Sequence, residues 1–271
     1  MTHQISSLPL SCGKVFLVGA GPGDPGLITV RAAQCLQLAD VVLFDALVNP
    51  ELMEKYAPTA ERVSVRKRKG HCDKTQTETT ALLIKLAKKG KTVARLKGGD
   101  PITFGRGAEE AMALKNENIP FEIVPGVSCI ASVPAYAGIP VTHRDVASSF
   151  GIYSAHRRGG STFNDTQWRQ IACGPDTLIF LMGKTKCDEI MNKLVQFGRP
   201  NSTPAAMIYN GTLATQRTVT GTLCTLASIT AEIVNDGPAI IVVGDVVRLR
   251  EKMLWFQEQS IQGEDAWTAI S

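Results

Sequence analysis

The sequence predicts an α/β protein with mostly parallel sheets, divided into two domains. Short apolar runs of strand length alternate with helix-like segments along most of the chain, which is typical of parallel α/β folds. A stretch rich in proline and glycine interrupts this alternation near the middle of the 271 residues. We therefore expect α/β domains at residues 13–136 and 146–256, a connection at 137–145, and flexible ends at 1–12 and 257–271.

The elements of the first domain follow from apolar runs and from residues that begin or end helices. Buried strands are predicted at Val15–Val18, Val41–Phe44, Thr92–Leu96 and Phe121–Val124. Helices are predicted from their ends: one that begins with Asn49 as N-cap, one between the capping box Thr75–Glu78 and Gly90, and one that carries Glu109 and Glu110.

The second domain repeats the alternation with fewer helix signals. Strands are predicted near 149–154, 177–182, 205–209 and 239–243, and a helix near 187–197 that Gly198 ends. Residues 257–271 are polar and lack periodicity, so we expect a frayed tail.

Composition excludes several classes of protein. The apolar runs are too short for a transmembrane helix, and the N-terminus lacks the features of a signal peptide. Seven scattered cysteines without a Cys-x-x-Cys pair favour a reducing cytoplasm, and the four histidines show no metal-ligand spacing. We therefore expect a cytoplasmic protein that binds no metal and no membrane.

The net charge of +4 is mild, but basic residues are concentrated in the run Arg66–Lys69. Such a run is either a solvated loop or a surface for a partner rich in carboxylates or phosphates.

The loop V-G-A-G-P-G-D-P-G (Val18–Gly26) contains the G-x-G-x-x-G pattern of dinucleotide-binding folds. That pattern works by presenting backbone N–H groups to a pyrophosphate. Here Pro22 and Pro25 remove two donors, and Asp24 adds a negative charge. The loop therefore favours a ligand other than a polyphosphate.

Three further loops rich in glycine or proline also follow predicted strands: Gly98–Pro101, Pro125–Ser128 and Met182-Gly183. Glycines alone often only turn the chain, but ligands in open α/β sheets bind beyond the carboxyl ends of strands. Four such loops favour a shared ligand site. The stretch 95–110 is the most specific of them, because it combines charged residues of both signs with four glycines.

These motifs resemble the tetrapyrrole methylase family. The resemblance covers roughly residues 13–256 and rests on V-G-A-G-P-G-D-P at 18–25, L-K-G-G-D-P…F-G-R-G-x-E-E at 96–110, V-P-G-V-S at 124–128 and A-G-I-P-V-T-H-R at 137–144. It implies two α/β domains with the active site in a cleft between them, and a homodimer. It also implies a methyltransferase that uses S-adenosyl-L-methionine to methylate uroporphyrinogen III at C2 and C7, giving precorrin-2.

The resemblance also implies roles for individual residues. The residues implied to contact S-adenosyl-L-methionine are Pro22, Gly98, Gly99, Asp100, Thr103, Ser128, Cys129, Met182 and Gly211. Asp45 and Lys67 match positions with acid–base roles, and Arg106, Glu109 and Arg144 match positions that handle the tetrapyrrole. The eight carboxylates of the substrate could also meet the basic run and Lys97, Arg157 and Arg158.

Two alternatives remain open at the level of sequence. One is a methyltransferase of the same fold that acts on a later corrin intermediate or on RNA, although the basic run lacks the interleaved aromatics of a base-stacking surface. The other is a nicotinamide-dependent oxidoreductase, on the strength of Gly21–Gly26. We expect no nucleic-acid partner, and methyl transfer alone, because nothing in the sequence resembles the dehydrogenase–chelatase part of fused sirohaem enzymes.

Overall fold

The computed structural model describes residues 13–65, 75–156, 163–233 and 237–258. The chain divides into two compact units, and the division falls between Ser132 and Val133. This point lies before residue 136, the end predicted for the first domain, so the stretch 137–145 belongs to the second unit.

The first unit contains a five-stranded sheet. Its strands are β1 (Val15–Gly19), β2 (Val41–Phe44), β3 (Glu61–Ser64), β4 (Val93–Lys97) and β5 (Phe121–Val124). They are ordered β3-β2-β4-β1-β5, and every neighbouring pair is parallel. The helices are α1 (Val30–Gln37), α2 (Glu51–Tyr56), α3 (Gln76–Lys88) and α4 (Gly107–Asn116), and α5 (Cys129–Tyr136) spans the division.

Both faces of this sheet are covered, which explains why β1 and β2 are continuous apolar runs. Val15 and Leu17 of β1 pack into a core with residues of α3 and α4. Phe16 and Val18 point to the opposite face and pack into a second core with residues of α1 and α2. Alternate residues of a strand point to opposite faces, so a strand buried on both faces is apolar at most of its positions.

Helix α3 begins and ends where its sequence signals lie. The Thr75 side chain accepts a hydrogen bond from the Glu78 N–H, and the Glu78 carboxylate accepts one from the Thr75 N–H. Gly90 follows the helix with φ of +81°, the left-handed conformation that glycine adopts without strain. Helix α2 is assigned from Glu51, and Pro50 before it already has helical backbone angles. The Asn49 side chain accepts a hydrogen bond of 3.1 Å from the Glu51 N–H, which is the capping contact predicted for Asn49.

The second unit contains a mixed sheet. Its strands are β6 (Phe150–Ser154), β7 (Thr177–Leu181), β8 (Pro204–Tyr209), β9 (Arg217–Thr222) and β10 (Ala239–Val243). They are ordered β6-β7-β10-β8-β9, and only β6 and β7 are parallel. The prediction of mostly parallel sheets is therefore wrong for this unit, because β10 inserts between β7 and β8 and runs against both.

The helices of the second unit are α6 (Asp165–Cys173), α7 (Cys187–Gln196), α8 (Leu226–Ala231) and α9 (Arg250–Met253). One core joins Trp168, Leu194 and Leu226 of three of these helices to Phe180 and Met207 of the sheet.

The expectation of a frayed tail from residue 257 is wrong for its first residues. Glu258 accepts hydrogen bonds from Gln216 and Thr218 and pairs with Arg250.

Across the described ranges, none of the helices combines the length and apolar character that a membrane crossing requires.

Candidate active site

Three of the four predicted loops meet at the carboxyl edge of the first sheet. A Cβ built on Gly126 would lie 2.3 Å from the carbonyl oxygen of Gly99 and 2.7 Å from the Cα of Gly19. Gly21 and Gly99 exchange backbone hydrogen bonds of 3.2 and 2.6 Å. Glycine is required at these points because any side chain would push the loops apart.

The first loop does not present its N–H groups as a phosphate site would. The Asp24 carboxylate accepts a hydrogen bond of 2.7 Å from the Gly26 N–H, and the Thr29 hydroxyl caps α1 by accepting one from Ala32. Asn49 donates to the carbonyl oxygen of Gly23. A donor that already serves the protein is not free for a pyrophosphate, so the dinucleotide pattern in this loop is not a phosphate cradle.

Asp100 ties the second loop to the third. Its Oδ1 accepts from the N–H groups of Ile102 (2.9 Å) and Thr103 (2.8 Å), and its Oδ2 accepts from the Gly126 N–H (3.2 Å). Burial alone would raise the pKa of Asp100, but these hydrogen bonds outweigh it and hold the pKa below its ordinary value. The carboxylate therefore fixes the geometry of both loops.

The other residues implied to contact the methyl donor in this unit lie on the same loops. Gly98 packs against Leu47 in the loop after β2. The carbonyl oxygen of Ser128 accepts a hydrogen bond from the Ser132 hydroxyl, in the first turn of α5. Burial raises the pKa of the Cys129 thiol above its ordinary value. Pro22, Gly99, Asp100 and Thr103 complete this set.

A buried cluster of charges lies under these loops, and Asp45 is its exposed end. Arg95 is 3% exposed and donates to Glu110 Oε1 (3.1 Å) and to Asp45 Oδ1 (2.5 Å). The Glu110 side chain is fully buried, whereas that of Asp45 is 33% exposed. Gln76 donates a further hydrogen bond of 2.9 Å to Glu110 Oε1. The cluster thus holds one accessible carboxylate in a fixed orientation.

Lys97 completes this cluster. Its Nζ lies 3.3 Å from Glu110 Oε2 and 3.9 Å from Asp45 Oδ2. Burial and the positive charge of Arg95 lower the pKa of Lys97, against the opposing effect of the two carboxylates. Glu110 Oε2 is buried, and none of the described residues donates a hydrogen bond of good geometry to it.

Arg95 and Glu110 had no predicted role of their own in the site, and Lys97 was predicted only as a partner for the substrate carboxylates. Arg95 and Lys97 are alternate residues of a strand whose other residues are apolar. Charged residues inside a buried strand need partners, and this is the signal that could have pointed to the cluster.

Arg106 and Glu109 form an exposed ion pair at the start of α4. Arg106 Nε and a terminal guanidinium nitrogen of the same side chain contact the two carboxylate oxygens of Glu109 at 2.9 and 2.7 Å. The hydrogen bonds that Arg106 donates to the Glu109 carboxylate raise the pKa of Arg106 above its ordinary value. Arg106 is therefore a fixed cation and a poor candidate for a base.

Two predicted residues remain, Lys67 and Arg144. Lys67 lies outside the described residues, together with the basic run, Arg157 and Arg158. Arg144 is exposed, in a turn that the bridge between His143 and Ala147 closes in the second unit. In the described ranges, the side chains of His, Cys, Asp and Glu form no group of three or more that could hold a metal ion.

Met182 and Gly211 lie at one edge of the second sheet. Met182 follows β7 and Gly211 follows β8, and both strands run against β10 between them. The ends of β7 and β8 are therefore two strand spacings apart, about 10 Å. Met182, Asn210 and Thr212 have φ of 58°, 47° and 71°, a left-handed conformation that is rare outside glycine and often marks functional sites.

The chain is similar to known methylases along most of its length. Residues 14–227 match the family described as Tetrapyrrole (Corrin/Porphyrin) Methylases. The sequence is 47% identical over 251 residues to Siroheme synthase 2 of Aeromonas hydrophila and 46% identical over 248 residues to Siroheme synthase of Pseudomonas fluorescens. These matches cover 93% and 92% of this chain but 53% of each relative, so the chain spans about half the length of these curated relatives.

Solved structures of methyltransferases are also similar to this chain. The uroporphyrin-III C-methyl transferase of Thermus thermophilus complexed with S-adenyl homocysteine is 38% identical, with a TM-score of 0.75 over 88% of this chain and 100% of that one. Cobalt precorrin-4 methyltransferase is 29% identical, with a TM-score of 0.74 over 86% of this chain and 95% of that one. The family match, the paired α/β units and the converging glycine loops agree, and the chain belongs to the tetrapyrrole methylase family.

Proposed function

We propose that this chain is an S-adenosyl-L-methionine-dependent C-methyltransferase that converts uroporphyrinogen III, by methylation at C2 and then C7, into precorrin-2. The observation that carries the proposal is the similarity to the Thermus transferase over the full length of that enzyme. Precorrin-2 made in this way would serve the synthesis of sirohaem, cobalamin or haem d1.

The glycine loops of the first unit fit S-adenosyl-L-methionine better than a nucleotide polyphosphate. Gly19, Gly99 and Gly126 contact one another through backbone atoms, and the charged group that fixes these loops is the Asp100 carboxylate. These surroundings, backbone atoms and a carboxylate, suit a sulfonium cation. A polyphosphate would instead need free N–H groups or cations. The other proposed contacts with S-adenosyl-L-methionine are made by Pro22, Gly98, Thr103, Ser128, Cys129, Met182 and Gly211.

S-adenosyl-L-methionine supplies an activated methyl group, which an electron-rich pyrrole carbon can take by direct displacement. Catalysis by this chain then consists mainly of holding the reacting carbon in line. The methylated macrocycle must also lose a proton, and we assign Asp45 as its acceptor. Asp45 is the accessible carboxylate of the buried cluster, and Arg95 holds its Oδ1 in a fixed position. Lys67 is proposed as a second acid–base group.

The tetrapyrrole carboxylates require cations at the mouth of the site. Arg106 is exposed and oriented by Glu109, so it can form a bidentate contact with a carboxylate while staying charged. Arg144 is proposed for the same task.

We further propose that the enzyme is a cytoplasmic homodimer, and light scattering on the purified protein tests the dimer.

The test is anaerobic incubation with S-adenosyl-L-methionine and enzymatically made uroporphyrinogen III, followed by mass spectrometry of the tetrapyrrole. A gain of two methyl groups supports the proposal. No gain, while S-adenosylhomocysteine still binds, would reject this substrate and favour a methylase that acts on another corrin intermediate. Absence of both activity and binding would reject the proposed function altogether.

A further inference from the structure

The C-terminal segment, residues 250–258, has no role in the proposed function so far, yet it is firmly attached within the second unit. Trp255 Nε1 donates a hydrogen bond of 3.0 Å to the carbonyl oxygen of Ala135, and its ring lies 4.9 Å from that of Tyr136. Arg250 donates to the carbonyl oxygen of Ala137. The segment therefore packs along the end of α5.

The last described residue of this segment reaches a different place. Glu258 Oε1 accepts hydrogen bonds from Gln216 Nε2 (3.1 Å) and from the Thr218 hydroxyl (2.5 Å). Its Oε2 accepts from the Thr218 N–H (3.0 Å) and lies 3.1 Å from a guanidinium nitrogen of Arg250. Four contacts from three residues fix the orientation of this carboxylate.

Gln216 connects Glu258 to the loop 210–212 by hydrogen bonds at both ends of its amide. Gln216 is buried, and its Oε1 accepts a hydrogen bond of 2.7 Å from the Thr212 N–H. A carboxylate only accepts hydrogen bonds, so Glu258 requires the amide nitrogen of Gln216 to face it and the amide oxygen to face Thr212. Without Glu258 the amide loses one of the two contacts that fix its orientation, and a turned amide would place its NH₂ group against the Thr212 N–H.

The loop needs such support because its backbone is strained. Thr212 and Asn210 both have left-handed φ values, which cost free energy in residues with a side chain and persist only where contacts hold them. The loop also lies against α5, since a Cβ on Gly211 would come within 2.3 Å of a Val133 methyl group. The C-terminal segment thus supports the loop through Gln216 and packs on the helix beside it.

We propose that Glu258 is a positioning residue that, through Gln216, holds the loop 210–212 in the conformation that binds S-adenosyl-L-methionine. This inference rests on the proposed function, in which Gly211 contacts that molecule. It assigns to the C-terminal segment a role in affinity for the methyl donor, and none in affinity for the tetrapyrrole.

The experiment is calorimetric titration of the full chain with S-adenosylhomocysteine, at a temperature where circular dichroism shows each variant folded. Glu258→Ala should weaken binding about ten-fold, as expected for the loss of a charged hydrogen-bond partner. Glu258→Gln keeps an acceptor oxygen and should restore affinity to within about three-fold of wild type. Glu251→Ala, at an exposed glutamate of α9, is the matched control and should bind as wild type does.

The route through Gln216 is tested by combining variants. Gln216→Ala should weaken binding by itself, and adding Glu258→Ala should weaken it no further, because both changes break one chain of hydrogen bonds. In turnover assays the KM for S-adenosyl-L-methionine should rise while the KM for uroporphyrinogen III stays constant.

The outcomes separate the two proposals. Failure of the wild-type chain to bind S-adenosylhomocysteine would reject the proposed function and this inference with it. Wild-type binding with unchanged affinity in Glu258→Ala would overturn this inference alone, as would independent losses in the Gln216→Ala and Glu258→Ala pair. If Glu258→Ala does not fold, the same decision rests on Gln216→Ala, whose unchanged affinity would overturn the inference.

Discussion

At the scale of single residues, two adjacent glutamates of α4 lie in opposite surroundings. The Glu110 side chain is fully buried between Arg95 and Lys97, whereas that of Glu109 is 56% exposed. Glu110→Gln should lower the free energy of unfolding by about 3 kcal/mol, because it leaves two buried cations with one partly exposed carboxylate. Glu109→Gln should change it by less than about 0.5 kcal/mol. Urea denaturation measures both, and equal small effects would mean that the cluster is not buried as described.

Arg106 provides a prediction that separates binding from turnover. Its guanidinium is exposed and pairs with Glu109, away from the hydrogen bonds that fix the glycine loops. Arg106→Ala should therefore abolish methyl transfer and leave binding of S-adenosylhomocysteine within about two-fold of wild type. Single-turnover assays and calorimetry measure the two effects, and equal loss of cofactor binding would refute the role assigned to Arg106.

Glu122 provides a prediction about pH. Hydrogen bonds from Arg31 and Lys14 lower the pKa of Glu122 to about 2, from an unfolded value of 4.5. The unfolded state therefore binds more protons between these values, so the stabilisation is complete above pH 4.5 and is lost as the pH falls toward 2. Glu122→Gln should flatten the decline of stability in that window. Urea denaturation at several pH values tests this, with Glu251→Gln as the control, whose decline should match wild type.

At the scale of elements, the contact among the glycine loops determines whether the first unit can form its site. A Cβ on Gly126 would strike backbone atoms of Gly99 and Gly19, whereas one on Gly26 would meet only the end of the Asp24 side chain at 3.1 Å. Gly126→Ala should cost about 2 kcal/mol or more and remove S-adenosylhomocysteine binding. Gly26→Ala should cost less than about 1 kcal/mol. Comparable effects of the two substitutions would argue against the close contact of the loops.

Two strands that were not predicted from the sequence lie at sheet edges. Strands β3 and β9 lie at sheet edges and contain Glu61 and Arg217, so neither is an apolar run. Edge strands are buried on fewer sides, and their pattern is correspondingly weak. Helix α6 was also not predicted, although its capping box from Asn164 to Gln167 is a sequence signal for the start of a helix.

At the scale of the whole molecule, ligand binding should separate the proposed function from the oxidoreductase alternative. S-adenosylhomocysteine at 100 times its Kd should add about 2.7 kcal/mol to the stability of the folded chain and raise its Tm by about 5 °C or more. NAD should leave the Tm unchanged, because Asp24 occupies the Gly26 N–H and two prolines lack donors. Thermal denaturation by circular dichroism measures both, and a rise with NAD alone would favour the oxidoreductase.

The sequence by itself determined the two α/β units, the first sheet's central strands and the loops that converge on its edge. It could do so because a strand buried on both faces is apolar at most of its positions, and because glycine is required where backbones touch at Gly99 and Gly126. The motifs at 18–25, 96–110, 124–128 and 137–144 predicted the family, and the match over residues 14–227 confirms it.

Only the tertiary structure decided the order of the second sheet, the partners of Arg95 and the attachment of Glu258. Each depends on residues far apart in sequence: β10 separates β7 from β8, Glu110 meets Asp45 through Arg95, and Glu258 meets Gln216. The pattern of apolar and polar residues in a segment indicates how that segment is buried. It does not indicate which distant segment packs against it. The physical reason is that such pairings are set by the packing of whole elements, to which no single stretch of sequence corresponds.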